Sequence, residues 1–282
     1  MNEPSSTPRL DLRAEVRRAF AAPTTGGGST GTPHAMTSDL SIDEELNLHS
    51  IGWEPMEMVS GVSLHSIPYG YWNWGQGEIV GASSAHATAF AHATARLLRE
   101  AGAAGGHGVV GVHIEQAVHP TYVEVSLVGT AVRPLGGSQR LDKPVFASDL
   151  SARDFTMLMV AGWEPLGLAT GASFVFAPRR SVGTVLQQQS QNVELTNFTE
   201  AMYSARETAM QRMQERAIAM NGTGVVDVKV QEGPMSFAAH AVGFIALGTV
   251  VRLATPTHQL IHPTMVVSLN DDAVAFDAQT LG

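Results

Sequence analysis

Gly52-Trp53-Glu54-Pro55 and Gly162-Trp163-Glu164-Pro165 are the same four residues 110 positions apart, and that spacing carries on to Gly61/Gly171 and Ser63/Ser173. Further on, Gly106-His107-Gly108-Val109-Val110 answers Gly222-Thr223-Gly224-Val225-Val226 at an offset of 116. Gly129-Thr130-Ala131-Val132-Arg133 answers Gly248-Thr249-Val250-Val251-Arg252 at 119. The growing offset places small insertions between fixed blocks of the second copy. One structural unit is used twice, and that repeat organises everything else.

Within the first copy, Met56–Ser63 alternates and reads as a strand, and Ile67–Gly77 as a loop. Ser83–Ala101 reads as a helix, with Phe90, Ala93, Leu97 and Leu98 on one stripe. Val109–Glu115 and Tyr122–Val132 read as a hairpin pair of strands. The second copy repeats the order with a strand at Leu166–Ser173 and closing strands at Val225–Val230 and Ala241–Val251. Its helix reads as capped by Asn197 with Glu200 three residues on and closed by Asn221-Gly222, its buried stripe running Phe198, Met202, Ala205, Ala209, Met213, Ala217, Met220. The fold class is α+β: two tandem β-α-β-β units, each one helix on a three-stranded sheet.

Expected boundaries are a disordered arm over residues 1–40, units at 41–135 and 144–253, and a tail at 254–282. The arm holds the glycine-rich run Pro23–Pro33, which cannot bury enough apolar surface to order itself and suits recruitment of another protein. The tail shows a hairpin pattern, Thr264–Leu269 and Ala273–Phe276 around Asn270-Asp271-Asp272. Alternation of Val226, Val228 and Val230 with Asp227 and Lys229 turns the valines inward; transferred to the first copy, Val110, Val112 and Ile114 face in and Gly111, His113 and Glu115 face out.

A net charge of −9 argues against a nucleic-acid partner, because phosphate backbones are met by basic faces. The chain has no cysteine, which removes disulfides and thiolate ligands together. No apolar run is long enough to span a bilayer or act as a signal peptide, so the expected location is the cytoplasm. No Gly-x-Ser-x-Gly elbow, His-Glu-x-x-His or Walker motif occurs, and the expectation is a protein that is not an enzyme.

The run Ala205-Arg206-Glu207 through Ala217, then Gly222, Val225-Val226-Asp227-Val228 and the closing Gly248-Thr249-Val250-Val251, resembles the helix-to-strand core of the YbjQ-like proteins. Those proteins also carry a heavy-metal-binding label. The resemblance covers both units but neither the first ~40 residues nor the tail. It implies a dodecin-like subunit that assembles with copies of itself into a ring, typically a pentamer, with two units per chain here.

For a divalent transition metal, the candidate ligands are His107, His113 and His119, near Glu115. Two readings stand for them: solvated surface histidines, or ligands that converge across a subunit interface. His86 lies on the buried stripe of the first helix and reads as a packed histidine; Met56/Met58 and Met157/Met159, read as strand neighbours, are core filling or soft ligands. Trp53 and Trp163 occupy the same place in each copy and suggest unit or ring packing, whereas Trp72 and Trp74 suggest a hydrophobic plug onto a neighbour. Three functions follow: a ring-forming structural protein, a metal-binding module, or, by analogy with dodecin-like rings that stack flavin on tryptophan, a small-molecule carrier.

Overall fold

A computed structural model describes residues 37–68, 77–136, 146–178, 194–235, 240–254, 265–266 and 276–277. Most of the expected arm, together with Trp72 and Trp74, lies outside the described residues. Both copies fall in one compact unit, Met36–Gly282.

The elements repeat in register with the sequence blocks. The first copy runs α1 (Ile42–Ser50), β1 (Trp53–Ser66), a short β2 (Gly77–Glu78), α2 (Val80–Ala103), β3 (Gly108–Val118) and β4 (Tyr122–Pro134). The second runs a short β5 (Phe146–Ala147), α3 (Ala152–Val160), β6 (Trp163–Phe176), α4 (Thr196–Ala219), β7 (Gly224–Pro234) and β8 (Ala241–Leu253). In the tail, β9 (Met265–Val266) and β10 (Phe276–Asp277) pair antiparallel, where the hairpin pattern placed them.

Each β-α-β-β core is preceded by a short helix that periodicity did not reveal. Ser41 caps α1, its hydroxyl accepting from the Glu44 amide at 3.3 Å while the Glu44 carboxylate accepts from the Ser41 amide at 2.9 Å. Ser151 caps α3, its hydroxyl accepting from the Asp154 amide at 3.1 Å and donating to the Asp154 carboxylate at 2.7 Å. The expected cap of α4 is corrected: Leu195 is the cap residue, and Asn197 sits in the first turn with its amide donating to the Pro178 carbonyl at 2.7 Å. Met157 and Met159 lie in α3 rather than on a strand, so in place of sharing a face they point to different sides of a helix.

The duplicated blocks have local reasons. Glu54 and Arg133 stand opposite each other on β1 and β4, and the guanidinium donates to the carboxylate at 2.6 Å; Glu164 and Arg252 repeat the pair on β6 and β8 at 3.1 Å. Gly61 and Gly171 let a helix lie directly on the strand. A Cβ on Gly61 would meet the Ala93 carbonyl and the Leu97 amide at 2.7 Å, and one on Gly171 the Ala209 carbonyl and the Met213 amide at 2.7 Å.

Two four-stranded sheets form, ordered β1-β4-β3-β5 and β2-β6-β8-β7. Each borrows a short strand from the other copy: β5 adds parallel to β3, and β2 adds antiparallel to β6. A bulge in β3 between Val110 and His113 interrupts the expected alternation, so Val109 and Val112 join the core shared with the second copy while Val110 packs on the other face with α1 and α3. The same bulge falls between Val226 and Lys229 of β7, and there Val228 and Val230 are exposed rather than in the core.

Candidate assembly interface

The joint between the copies is head to tail. Helix α2 covers β1 and β4 of its own sheet but leaves a strip of β3 open. The second sheet lays its outer face over that strip and over α2, so Leu168, Ala172, Phe174, Ile245 and Leu247 share one core with Phe90, Val112 and Leu127. Helix α4 occupies the inner face of the second sheet with Ala205, Ala209 and Met213. Strands β6 and β8 are thus buried on both faces, whereas β1 and β4 alternate between buried and more exposed residues along most of their length.

The segment before α3 fastens the joint. Its Ser148 amide donates to Val109 at 2.9 Å, the Val112 amide returns a bond to the Ser148 carbonyl at 3.0 Å, and the Gly111 amide donates to Leu150 at 2.8 Å. Behind it, Thr249 on β8 takes the Asp149 amide at 3.1 Å and meets the Ser148 hydroxyl at 3.0 Å. Lys229 donates to the buried Asp149 carboxylate at 3.0 Å, and burial of the ammonium is outweighed by Asp149 and Asp227, which raise its pKa above the usual lysine value.

At the other side of the joint, the first turn of α2 grips the β6 edge. The Ile79 amide donates to Phe174 at 2.6 Å, the Ser83 hydroxyl accepts from the Phe174 amide at 3.3 Å, and Arg212 makes a two-pronged pair with Glu78, one prong at 3.0 Å. Burial tends to raise the Glu78 carboxyl, but bonds from Arg212 and Ser83 and the Arg212 charge prevail and hold it below the usual carboxylate range. His86 is buried against Phe90 and Phe174, with Nε2 2.9 Å from the Gln116 side-chain Oε1; burial, with the Arg216 charge, pushes its pKa down to about 4.

The two tryptophans of the repeated block differ in surroundings. Trp53 meets Phe146 and Phe155 of the second copy edge-on at 6.1 and 5.5 Å, inside the joint. Trp163 is half-buried at the equivalent place on the second copy. Beside Trp53, the residues His107, Phe146, Met159, Leu166 and Met220 line a cavity of about 460 Å³.

The three candidate ligands are strung along β3. His107 precedes the strand, His113 is exposed 3.5 Å from Glu115, and His119 stacks on Tyr122 at 4.3 Å with Glu124 at 3.9 Å. Six residues of strand separate neighbours by roughly 20 Å, so one chain does not bring them together. Among the described residues, no group of three His, Asp or Glu side chains is placed to hold a metal ion, and there is no thiolate to complete one. Among the described residues, the donor set does not fit a heavy-metal site.

A comparison of equivalent positions separates the ends of the repeat. On the outer face of the first sheet, Leu64 is 60% exposed where Phe174 is 0%, and Met58 44% where Leu168 is 3%. At the far end the imbalance reverses: Leu195 is 43% exposed where Ile79 is 0%, and Val228 40% where Val112 is 3%. Each outer side of the described repeat thus exposes a surface whose counterpart is buried at the internal joint.

The architecture is that of a duplicated α+β protein whose units pack head to tail. The family described as "Putative heavy-metal-binding", YbjQ, matches residues 181–254. The encapsulin nanocompartment protein Rv1762c of Mycobacterium tuberculosis is 33% identical over 243 residues, covering 84% of this chain and 92% of that one. UPF0145 proteins of Halorubrum lacusprofundi and Halobacterium salinarum are 37% and 34% identical over 93 and 94 residues, covering 32% of this chain and 85% and 86% of theirs. No solved structure shows a significant match. The chain belongs to the YbjQ-like family, in two tandem copies.

Proposed function

We propose that this chain is a non-enzymatic structural protein that assembles with copies of itself by continuing its internal joint into a closed ring. The observation that carries the reading is the exposed outer face of the first sheet, whose counterpart in the second copy is buried in a core. Exposed Met58, Val62 and Leu64 lie on one face of β1, with Ser60 between the first two, and form an apolar stripe. The relative named as an encapsulin nanocompartment protein, matched along most of both chains, supports a structural role.

Head-to-tail contacts close into rings when the rotation per subunit allows and otherwise run on as filaments. Five chains per ring is the number the family resemblance favours, and in a single layer such a ring holds an even number of units. No helix among the described residues is long and apolar enough to cross a membrane, and assembly in the cytoplasm fits that. Native mass spectrometry of untagged protein tests the reading. A discrete species at five times the 29.9 kDa chain mass is expected; a lone chain at micromolar concentration refutes self-assembly.

A further inference from the structure

We propose that the contact between successive chains copies the internal joint residue for residue: residues 37–40 of one chain add in parallel to β7 of its neighbour, and its Arg96 pairs with the neighbour's Glu194. This rests on the self-assembly reading above and names the surfaces that perform it.

The receiving edge is already shaped. At the internal joint, the β3 bulge aims the Gly111 and Val112 amides at the incoming segment. Gly111 holds a left-handed φ of 63° there, and Asp227 holds 52° at the matching point of β7. A residue with a Cβ tolerates that region only at a cost of about 1–2 kcal/mol. The second copy keeps the bulge although no described strand lies on that edge of β7.

The incoming segment is shaped as well. Ser38-Asp39-Leu40-Ser41 repeats Ser148-Asp149-Leu150-Ser151 at the offset of 110. On β4, Thr130 accepts from the Asp39 amide at 3.3 Å and lies 3.5 Å from the Ser38 hydroxyl, and the Leu40 amide donates to Ser38 at 3.1 Å. On β8, Thr249 makes the same set, and the Leu150 amide donates to Ser148 at 3.2 Å. In the second copy this arrangement fills the edge of β3. The first copy presents the same arrangement.

Charge and apolar surface agree with that placement. Glu78 and Arg212, paired across the internal joint, have their equivalents in Glu194 and Arg96 at the offset of 116. Arg96 already donates to the Val62 carbonyl as Arg212 does to Ala172. Glu194 accepts from Thr199, which stands where Ser83 stands in α2. In the copied joint, Val62 and Leu64 cover Leu195 and the open strip Val228 and Val230, all of them exposed within one chain.

A cross-link tests the register. Val109 and Ala147 are direct partners on β3 and β5, so the copied joint sets Val225 of one chain against Thr37 of the next. Adjacent strands bring Cα atoms to about 5 Å, within disulfide reach. The natural chain has no cysteine, so Thr37→Cys/Val225→Cys has one available pairing of the two kinds of site. Oxidation is expected to give a ladder of linked chains on a non-reducing gel, whereas either single variant stays one chain long. An assembled double variant that yields only single chains overturns the joint and leaves self-assembly standing. Wild-type protein that is monomeric in the mass spectrometer overturns the reading beneath it.

Charge exchange tests the pair. Glu194→Arg is expected to weaken assembly at least tenfold with its circular dichroism unchanged, and Glu194→Arg/Arg96→Glu to restore it. Unchanged assembly of the single variant, or a folded double variant that does not recover, removes the pair from the proposal.

Discussion

Replacing His86 with Met separates one buried titration from the general acid sensitivity of the protein. The imidazole is 1% exposed, lies between Phe90 and Phe174, and has a pKa lowered from 6.5 to about 4, chiefly by burial. Between those values the unfolded chain binds a proton that the native state does not, so stability rises with pH and is lost as pH falls from 6.5 towards 4. At ~1.4 kcal/mol per unit the loss reaches about 3 kcal/mol, or on the order of 10 °C in Tm for a chain of this size. Met stands at the equivalent place in α4, Met202, so His86→Met fills the site with a side chain the fold already accepts there. It gives up the bond to Gln116, at about 1 kcal/mol, above pH 7. Thermal melts of both proteins from pH 7.5 to 4.5 read the difference. The wild-type Tm is expected to fall more steeply, with the curves crossing at about pH 6. Parallel curves would show that His86 titrates normally and is not sealed in the joint.

Gly61→Ala drives a methyl group into the backbone of α2 at Ala93 and Leu97 and is expected to cost about 1–3 kcal/mol, whereas Gly102→Ala, whose new Cβ meets nothing within 4 Å, is expected to be neutral or stabilising in denaturant titrations. Trp53→Ala removes two edge-on ring contacts inside the joint and is expected to destabilise by about 2–3 kcal/mol; an unchanged unfolding midpoint would deny the ring cluster its packing role. Combined His107→Ala, His113→Ala and His119→Ala substitution is expected to leave the metal content of purified protein unchanged by elemental analysis. Loss of a stoichiometric metal would mean that different chains bring those histidines together.

The duplicated blocks made the architecture legible because each block is a contact within its own unit. Glu54 faces Arg133 on adjacent strands, and Gly61 meets α2, so repetition in sequence marked repetition in space. The short helices are hidden in the sequence although Ser41 and Glu44 form a capping box, because α1 is only nine residues long and too short to show a periodic stripe. The same capping pattern at Asn197 and Glu200 misleads, because Asn197 serves the Pro178 carbonyl and the helix begins at Thr196. The joint was the least visible. Its central residues, Ser148, Asp149, Glu78 and Arg212, belong to short matches at two different offsets, and only the folded chain shows that both belong to one contact. The histidines drew attention through residue type alone, and their six-residue spacing on an extended strand keeps them apart.

The two copies have diverged in a way that follows from when each face is covered. On the outer face of β8 the residues are Gly243, Ile245 and Leu247; at the same positions of β4 they are Glu124, Ser126 and Val128. A sheet buried on both faces reads as a continuous apolar run, and one with a solvated face alternates; β8 does the first and β4 the second. The internal joint forms whenever the chain folds and can be built like a core. A joint between chains must stay soluble until a partner arrives, and a face carrying Glu124, Ser126 and exposed Leu64 suits that interval. In the proposed assembly, duplication in one chain makes half of the joints permanent and leaves the other half to concentration, so dilution is expected to break it into whole chains while each chain keeps its internal joint.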